Sequence, residues 1–306
     1  MNASQSPAST HSPANTHSQP ATASYSASEA RTRRERVNVR ILRQDGPGQP
    51  SYWERHQVPY EDNMNVISVL QRIAAQARTV EGQSVAPVAW DCGCLEEVCG
   101  SCTMVINGHV RQSCSALVDR LLEDNSTEIE LRPMQKFPVV RDLLVDRSRM
   151  FHALKRVHGW VPVDGYFDMG PGPKQSRHEQ ERSYPLSECM TCGCCLDACP
   201  QYNKIELHRR PGESDSEFEK RKQAAYDEGF LGAAAISQAV LFNANPTGKN
   251  IKEERLEALT EPGGVQVCGN AQNCVAVCPK RIPLTTSIAR AGRDTTLYAL
   301  KKIFDR

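Results

Sequence analysis

The stretch CMTCGCCLDACP, residues 189–200, limits what this chain can fold into more than any other. Cys189, Cys192, Cys195 and Cys199 follow the spacing C-x2-C-x2-C-x3-C-P, in which three thiolates hold one iron-sulfur cube and the fourth reaches across to another. Such a run cannot be a regular helix or strand throughout. It has to wind around its cargo, and it needs a partner run elsewhere in the chain.

The partner lies at CGNAQNCVAVCPK, from Cys268 to Lys280, where Cys268, Ala271, Cys274 and Cys278 occupy the same four slots. Crossing the fourth members over gives two ligand sets. Cys189, Cys192, Cys195 and Cys278 form a complete set for a 4Fe-4S cluster. Cys199, Cys268 and Cys274 form a set of three, with a methyl group at Ala271 in place of the fourth thiolate. A cube held by three thiolates cannot anchor its fourth iron, so the expected species is 3Fe-4S. Pro200 and Pro279 end the two ligand turns, since proline fixes φ and offers no N–H. Cys194 falls outside the frame and reads as a small buried thiol packed beside a cluster.

A third group precedes these two. Cys94, Cys99 and Cys102 follow C-x4-C-x2-C, with Cys114 beyond a hairpin, the spacing of plant-type 2Fe-2S ligands. Gly93, Gly100 and Ser101 carry little bulk, which lets backbone N–H groups approach anionic sulfur. A structural zinc site also uses four cysteines, but usually as two short knuckles, and the spacing fits it poorly. Cys92 has no slot in this frame. None of the eight histidines stands at a ligand position. No Gly-rich phosphate loop, nucleophile elbow or pair of catalytic carboxylates stands out, so the chain reads as an electron conductor without bond chemistry of its own.

Composition excludes several other classes. With 37 basic and 36 acidic residues the charge nearly cancels, which argues against nucleic acid as a partner. No apolar run approaches the roughly 18 residues of a membrane span; the best, FLGAAAISQAVLF at 230–242, is short and contains Ser237 and Gln238. Thirteen cysteines in tight clusters indicate metal ligation in a reducing compartment rather than a secreted disulfide framework. The first 28 residues lack any charged side chain and read as disordered. A transit peptide is the competing reading, but such segments are Arg-rich, and the first arginine is Arg31.

The expected fold class is α+β. Alternation in VNVRIL and YWERHQVPY predicts a hairpin, and Val66, Val69, Leu70, Ile73 and Ala74 fall on one helical face. Asn107-Gly108 marks a second hairpin, because both central residues tolerate positive φ, and TEIELRPM adds a strand. After FPVVRDLLVDR the patterns become helical, in RMFHALKRVHGW, DSEFEKRKQAAYDEG, FLGAAAISQAVLF and KEERLEALT, with a Pro/Gly-rich loop at 161–174. The expected domains are a disordered tail at 1–35, a plant-ferredoxin-like β-grasp domain with the 2Fe-2S site at 36–145, and an all-helical bacterial-ferredoxin-like domain with the 4Fe-4S and 3Fe-4S sites at 146–306.

From about residue 36 onward the chain resembles the iron-sulfur subunits of succinate dehydrogenase and fumarate reductase, the Bacillus-type branch most closely. The resemblance rests on WDCGCLEEVCGSCTMVINGHVRQSC, FPVVRDLLVDR, CMTCGCCLDACPQYN, FNANPTG and CGNAQNCVAVCPKRIPLT. Eleven of the cysteines match the family's ligand positions. It implies a flavoprotein subunit with covalent FAD that oxidises succinate and passes electrons singly through 2Fe-2S, 4Fe-4S and 3Fe-4S to quinone in a membrane cytochrome b anchor. The chain would be peripheral, on the cytoplasmic face of the bacterial inner membrane. Some members line a ubiquinone pocket with Trp and His where this chain has Lys204 and Gly269. That departure fits the branch with a single diheme cytochrome b and menaquinone. The same ligand frame would serve a quinol:fumarate reductase running the other way. A rival from a different class is a free-standing electron carrier, or a zinc-stabilised interaction protein without a flavoprotein partner.

Overall fold

The computed structural model describes residues 35–123, 127–162 and 173–305. The tail expected at 1–35, except Glu35, and most of the loop expected at 161–174 lie outside the described residues.

Strands β1 (Arg36–Arg43) and β2 (Tyr52–Pro59) form the first hairpin in full antiparallel register, from Arg36 opposite Pro59 to Arg43 opposite Tyr52. Helix α1 (Val66–Gln76) follows and buries Val66, Ile67, Val69, Leu70 and Ile73, the face expected from spacing together with Ile67. Next come β3 (Thr103–Ile106) and β4 (His109–Gln112), joined through Asn107 at φ 48° and Gly108 at φ 81°. After the short α2 (Val118–Leu121), β5 (Glu128–Arg132) runs parallel to β1 and antiparallel to β3. The mixed sheet has the order β2-β1-β5-β3-β4. Its buried face carries Val37, Val39, Ile41, Ile129 and Leu131, and packs on α1.

A small ribbon, β6 (Val139–Arg141) with β7 (Leu144–Val145), closes the strand-rich part. Its turn is tied to β1 by a buried ionic chain. Arg43 donates to Asp142 Oδ1 at 2.8 Å and to Glu54 Oε1 at 2.6 Å, while His56 Nε2 lies 2.7 Å from the same Glu54 oxygen. Ala89 N–H satisfies the second Asp142 oxygen at 2.8 Å. Arg43, Glu54 and Asp142 therefore each have a charged partner, which burial demands.

From Ser148 onward the described residues form helices and no strands. They are α3 (Ser148–Arg156), α4 (Arg177–Ser187), α5 (Cys194–Asp197), α6 (Asp215–Glu228), α7 (Gly232–Ala244), α8 (Lys252–Thr260), α9 (Asn273–Ala276) and α10 (Leu284–Phe304). Helix α7 is apolar on nearly all sides and sits at the centre, which explains its lack of amphipathic pattern. Helix α10 crosses it through Ser237 and Ser287, whose hydroxyl oxygens lie 2.5 Å apart. Arg255, fully buried on α8, donates to the carbonyls of His158, Gly248 and Trp160 and to Asn243 Oδ1 of α7, so four oxygens converge on one guanidinium.

Strand-rich and helical parts share a core. Val105, Val110, Met134 and Phe137 pack in one cluster with Met150, Leu196, Tyr202 and Ile236, and Glu35–Arg306 behaves as one compact unit.

Candidate metal centres

The first cysteine loop hangs from the sheet at two points. Cys102 leads directly into β3 and Cys114 follows β4; both are buried with Ile67 beside Trp90. Asn65, which caps α1 by accepting from Ser68 N–H at 3.0 Å, also donates to the Cys114 carbonyl at 2.9 Å. The capping residue thus holds the fourth cysteine of the group in place.

Cys94 and Cys99 stand on the outer rim, where the loop curls around sulfur. Leu95, Glu97 and Gly100 adopt φ of 60°, 54° and 73°, turns that direct successive N–H groups inward. Glu96 and Val98 N–H donate to Cys94 Sγ at 3.4 and 3.3 Å, and Cys94 and Ser101 N–H to Cys99 Sγ at 3.4 and 3.5 Å. Hydrogen bonding to Ser101, side chain first and then amide, draws the Cys99 thiol down to about 6. Burial, followed by the neighbouring Cys102, pushes Cys114 up to about 11. A nest of donors around thiolate sulfur is what an anionic iron-sulfur group requires. Gly93 lies close under this sulfur: a Cβ there would stand 3.2 Å from Cys99 Sγ and press on it. Cys92 is exposed, and burial together with Asp91 raises its thiol.

The second and third groups repeat each other in backbone as well as in sequence. Thr191 and Gly193 have φ of 52° and 86°; Asn270 and Gln272, at the same offset in the later run, have 53° and 61°. The one-turn helices α5 and α9 follow at the same offset again. Ala271 therefore occupies the backbone position of Cys192. Asn273 Nδ2 fastens the two runs together, donating to the Ala198 carbonyl at 3.0 Å.

Two recesses open beside these runs. Cys189, Cys192, Cys195 and Cys278 line one, with Ala234, Ile282 and Leu284. Cys199, Cys268, Cys274 and Ala271 line the other, with Phe230, Ala233 and Ile288. The crossed-over cysteines, Cys278 and Cys199, each face the other run's recess. Among the described residues no three His, Cys, Asp or Glu side chains converge tightly enough for a single metal ion.

Environment separates the thiols of the second run. Cys195 is fully enclosed and burial drives its thiol upward, whereas a hydrogen bond from Cys194, ahead of burial, leaves Cys192 at about 7. Cys194 is buried in the apolar core as expected, and Gln112 Nε2 donates to its sulfur at 3.2 Å. Sequence reading missed Gln112, which carries no local signal, and likewise Arg147, whose guanidinium donates to the carbonyls of Gly100 and Ser101 at 2.6 Å each. The two positions flagged for their departure are both occupied by local contacts. Lys204 pairs with Glu206 at 2.7 Å, and a Cβ at Gly269 would meet Gln201 Nε2 at 2.9 Å.

Comparison with known proteins follows the same lines. Residues 38–152 match the family described as a 2Fe-2S iron-sulfur cluster binding domain. The chain is 50% identical over 264 residues to the succinate dehydrogenase iron-sulfur subunit of Bacillus subtilis, spanning 86% of this chain and 94% of that protein. It is 26% identical over 262 residues to the fumarate reductase iron-sulfur subunit of Wolinella succinogenes, spanning 84% and 96%. Among solved structures, a chain of the Mycobacterium smegmatis Sdh1 complex in the apo form shares the fold, with a TM-score of 0.62 at 19% identity, covering 85% of this chain and 95% of that one.

Proposed function

The chain belongs to the succinate dehydrogenase iron-sulfur subunit family, and from that premise we propose that its eleven slot cysteines hold three clusters between a flavin and a quinone. The enzyme is a succinate dehydrogenase, and this chain is its iron-sulfur subunit. Cys94, Cys99, Cys102 and Cys114 would hold 2Fe-2S; Cys189, Cys192, Cys195 and Cys278 would hold 4Fe-4S; Cys199, Cys268 and Cys274 would hold 3Fe-4S. The proposed division would place the first set in a plant-ferredoxin-like domain at 36–145 and the other two in a bacterial-ferredoxin-like helical domain at 146–306.

One observation carries the reading. Ala271 stands at the backbone position of Cys192 in a run whose turns and one-turn helix repeat those of the complete one. It supplies no ligand atom, and it lines the recess that Cys199, Cys268 and Cys274 share.

When bound, the clusters supply one-electron transfer from the FAD of a flavoprotein subunit to quinone at a membrane cytochrome b subunit. The protein's part is to hold thiolates deprotonated and spaced. In the first loop, the Cys94 and Ser101 amide donors to Cys99 favour its thiolate form. Burial of Cys102 and Cys114 shields the sheet side of that site from water. The apolar side chains of Phe230, Ala233 and Ile288 do the same for the third recess, and Ile282 and Leu284 for the second.

No described helix is long and apolar enough to cross a membrane. Attachment through an anchor subunit, at the cytoplasmic face of the inner membrane, is the placement that fits this family membership. Lys204 paired to Glu206, and Gly269 covered by Gln201, support an anchor that builds its quinone site without these two positions, as a diheme cytochrome b using menaquinone would.

The test is electron paramagnetic resonance with iron quantitation on the purified complex. Three centres are expected, one visible in the oxidised state and two more on reduction. Absence of the oxidised-state signal would remove the 3Fe-4S assignment.

A further inference from the structure

Arg147, between β7 and α3, stands where the first cysteine loop meets the second. Both arms of its guanidinium go to that loop, one to the Gly100 carbonyl and one to the Ser101 carbonyl, each at 2.6 Å. The same Gly100 lies directly on the second run: a Cβ there would come within 2.6 Å of Cys192 Cα and 3.1 Å of Cys192 N. Gln112, two residues before Cys114, completes the joint by donating to Cys194 Sγ.

Arg147 is half-buried, and burial lowers its pKa, yet arginine keeps its charge in proteins. A cation partly withdrawn from water needs counter-charge. Its two fork bonds end on neutral carbonyls, and its neighbour Asp146 is paired instead to Lys222 at 2.8 Å. Asp91 is the carboxylate that acts on it first. The fork also ends on the carbonyl next to Cys102, and the same loop abuts Cys192 at Gly100, so slot cysteines of two different groups stand beside it.

We propose that Arg147 is a shared counter-ion for the first two centres, a positioning residue that stabilises both in their reduced, more negative state. The inference rests on the cluster reading given above and adds a residue that the cysteine frame does not contain. A fixed cation raises the reduction potential of any anionic group beside it, and in a water-poor joint the effect is weakly screened. Its hydrogen bonds end on the first loop, and that loop abuts the second run at Gly100, so the third centre should respond least.

The experiment is a redox titration followed by electron paramagnetic resonance on the intact complex, with the parent protein beside R147Q, R147M and R147K. The parent must show three centres; if it does not, the cluster reading fails, independently of Arg147. Given three, R147Q should shift the reduced-to-oxidised ratio of the first and second centres about tenfold toward oxidised at a fixed ambient potential, equivalent to 59 mV for a one-electron couple. R147M, equally neutral, should do the same and stands in if the glutamine variant fails to assemble. R147K, which keeps the charge but not the fork, should retain most of the parent's potential. The third centre serves as the internal control. Unmoved first and second centres in the neutral variants would overturn the proposal, as would a lysine variant shifted as far as they are, since that would make the role one of shape rather than charge.

Discussion

Gln112 Nε2 donates to Cys194 Sγ at 3.2 Å and to Thr103 Oγ1 at 3.1 Å, joining the β3–β4 hairpin to the one-turn helix of the second cysteine run. All three side chains are buried. Gln112→Leu would leave two enclosed acceptors without a donor, at a cost of about 1–3 kcal/mol. The thermal midpoint of the assembled complex should fall accordingly, while Cys194→Ser, which keeps a hydroxyl in contact with both Gln112 and Cys192, should stay close to the parent. An unchanged midpoint in Gln112→Leu would show that the joint contributes no stability.

Gly100 offers a sharper structural test. Its φ of 73° disfavours any side chain by about 1–2 kcal/mol, and a methyl would also collide with the Cys192 backbone. Gly108, at φ 81° with nothing within 4 Å of an added Cβ, carries only the conformational cost. Gly100→Ala should therefore lose iron from the first and second centres on purification, as read by iron analysis, and Gly108→Ala should retain it.

The contrast between these glycines shows what sequence conveys. Local geometry was legible: Asn107-Gly108 announces its hairpin because the turn demands positive φ at both residues, and cysteine spacing announces slots because one loop must wrap one group. Helix α10 was not legible. Its buried side is Leu284, Ser287, Ala291 and Thr295, whereas Leu297, Leu300, Ile303 and Phe304 lie exposed, so polarity and burial disagree. Helix α4 was equally obscure, since RHEQERSYPLS is polar with Pro185 inside, and its Ser176 cap is a signal a single residue carries. Arg147 and Gln112 reach partners 46, 47 and 82 residues away, and no periodicity encodes a contact of that kind.

Acid stability should depend on Asp146. Burial pushes its carboxyl upward, but Lys222 at 2.8 Å and the Ser148 N–H outweigh this, and the pKa ends below the ordinary carboxylate value of 3.8. A folded pKa below the unfolded one means that the group stabilises the fold fully above about pH 4 and loses that contribution as pH falls through the folded value. Asp146→Asn should lower stability at neutral pH and flatten the acid limb below pH 4, measured as denaturation midpoint against pH. A parallel offset between the two curves across the whole range would contradict the ion-pair account.

The decisive substitution is Ala271→Cys. Ala271 lines the third recess with Cys199, Cys268 and Cys274, at the backbone position that Cys192 fills in the second, and Asn270 and Gln272 on either side adopt the same left-handed turns as Thr191 and Gly193. The backbone is thus already shaped to present a thiolate there, and the added sulfur needs no rearrangement of the loop. Four thiolates can anchor a fourth iron, so iron per complex should rise by one, and the paramagnetic signal of the oxidised state should disappear as the third centre becomes 4Fe-4S. Ala271→Ser, similar in size but a weaker ligand for iron, should keep more of the oxidised signal than the cysteine variant. Persistence of the full signal in Ala271→Cys, with iron content unchanged, would mean that the three-ligand set has been drawn from the wrong cysteines.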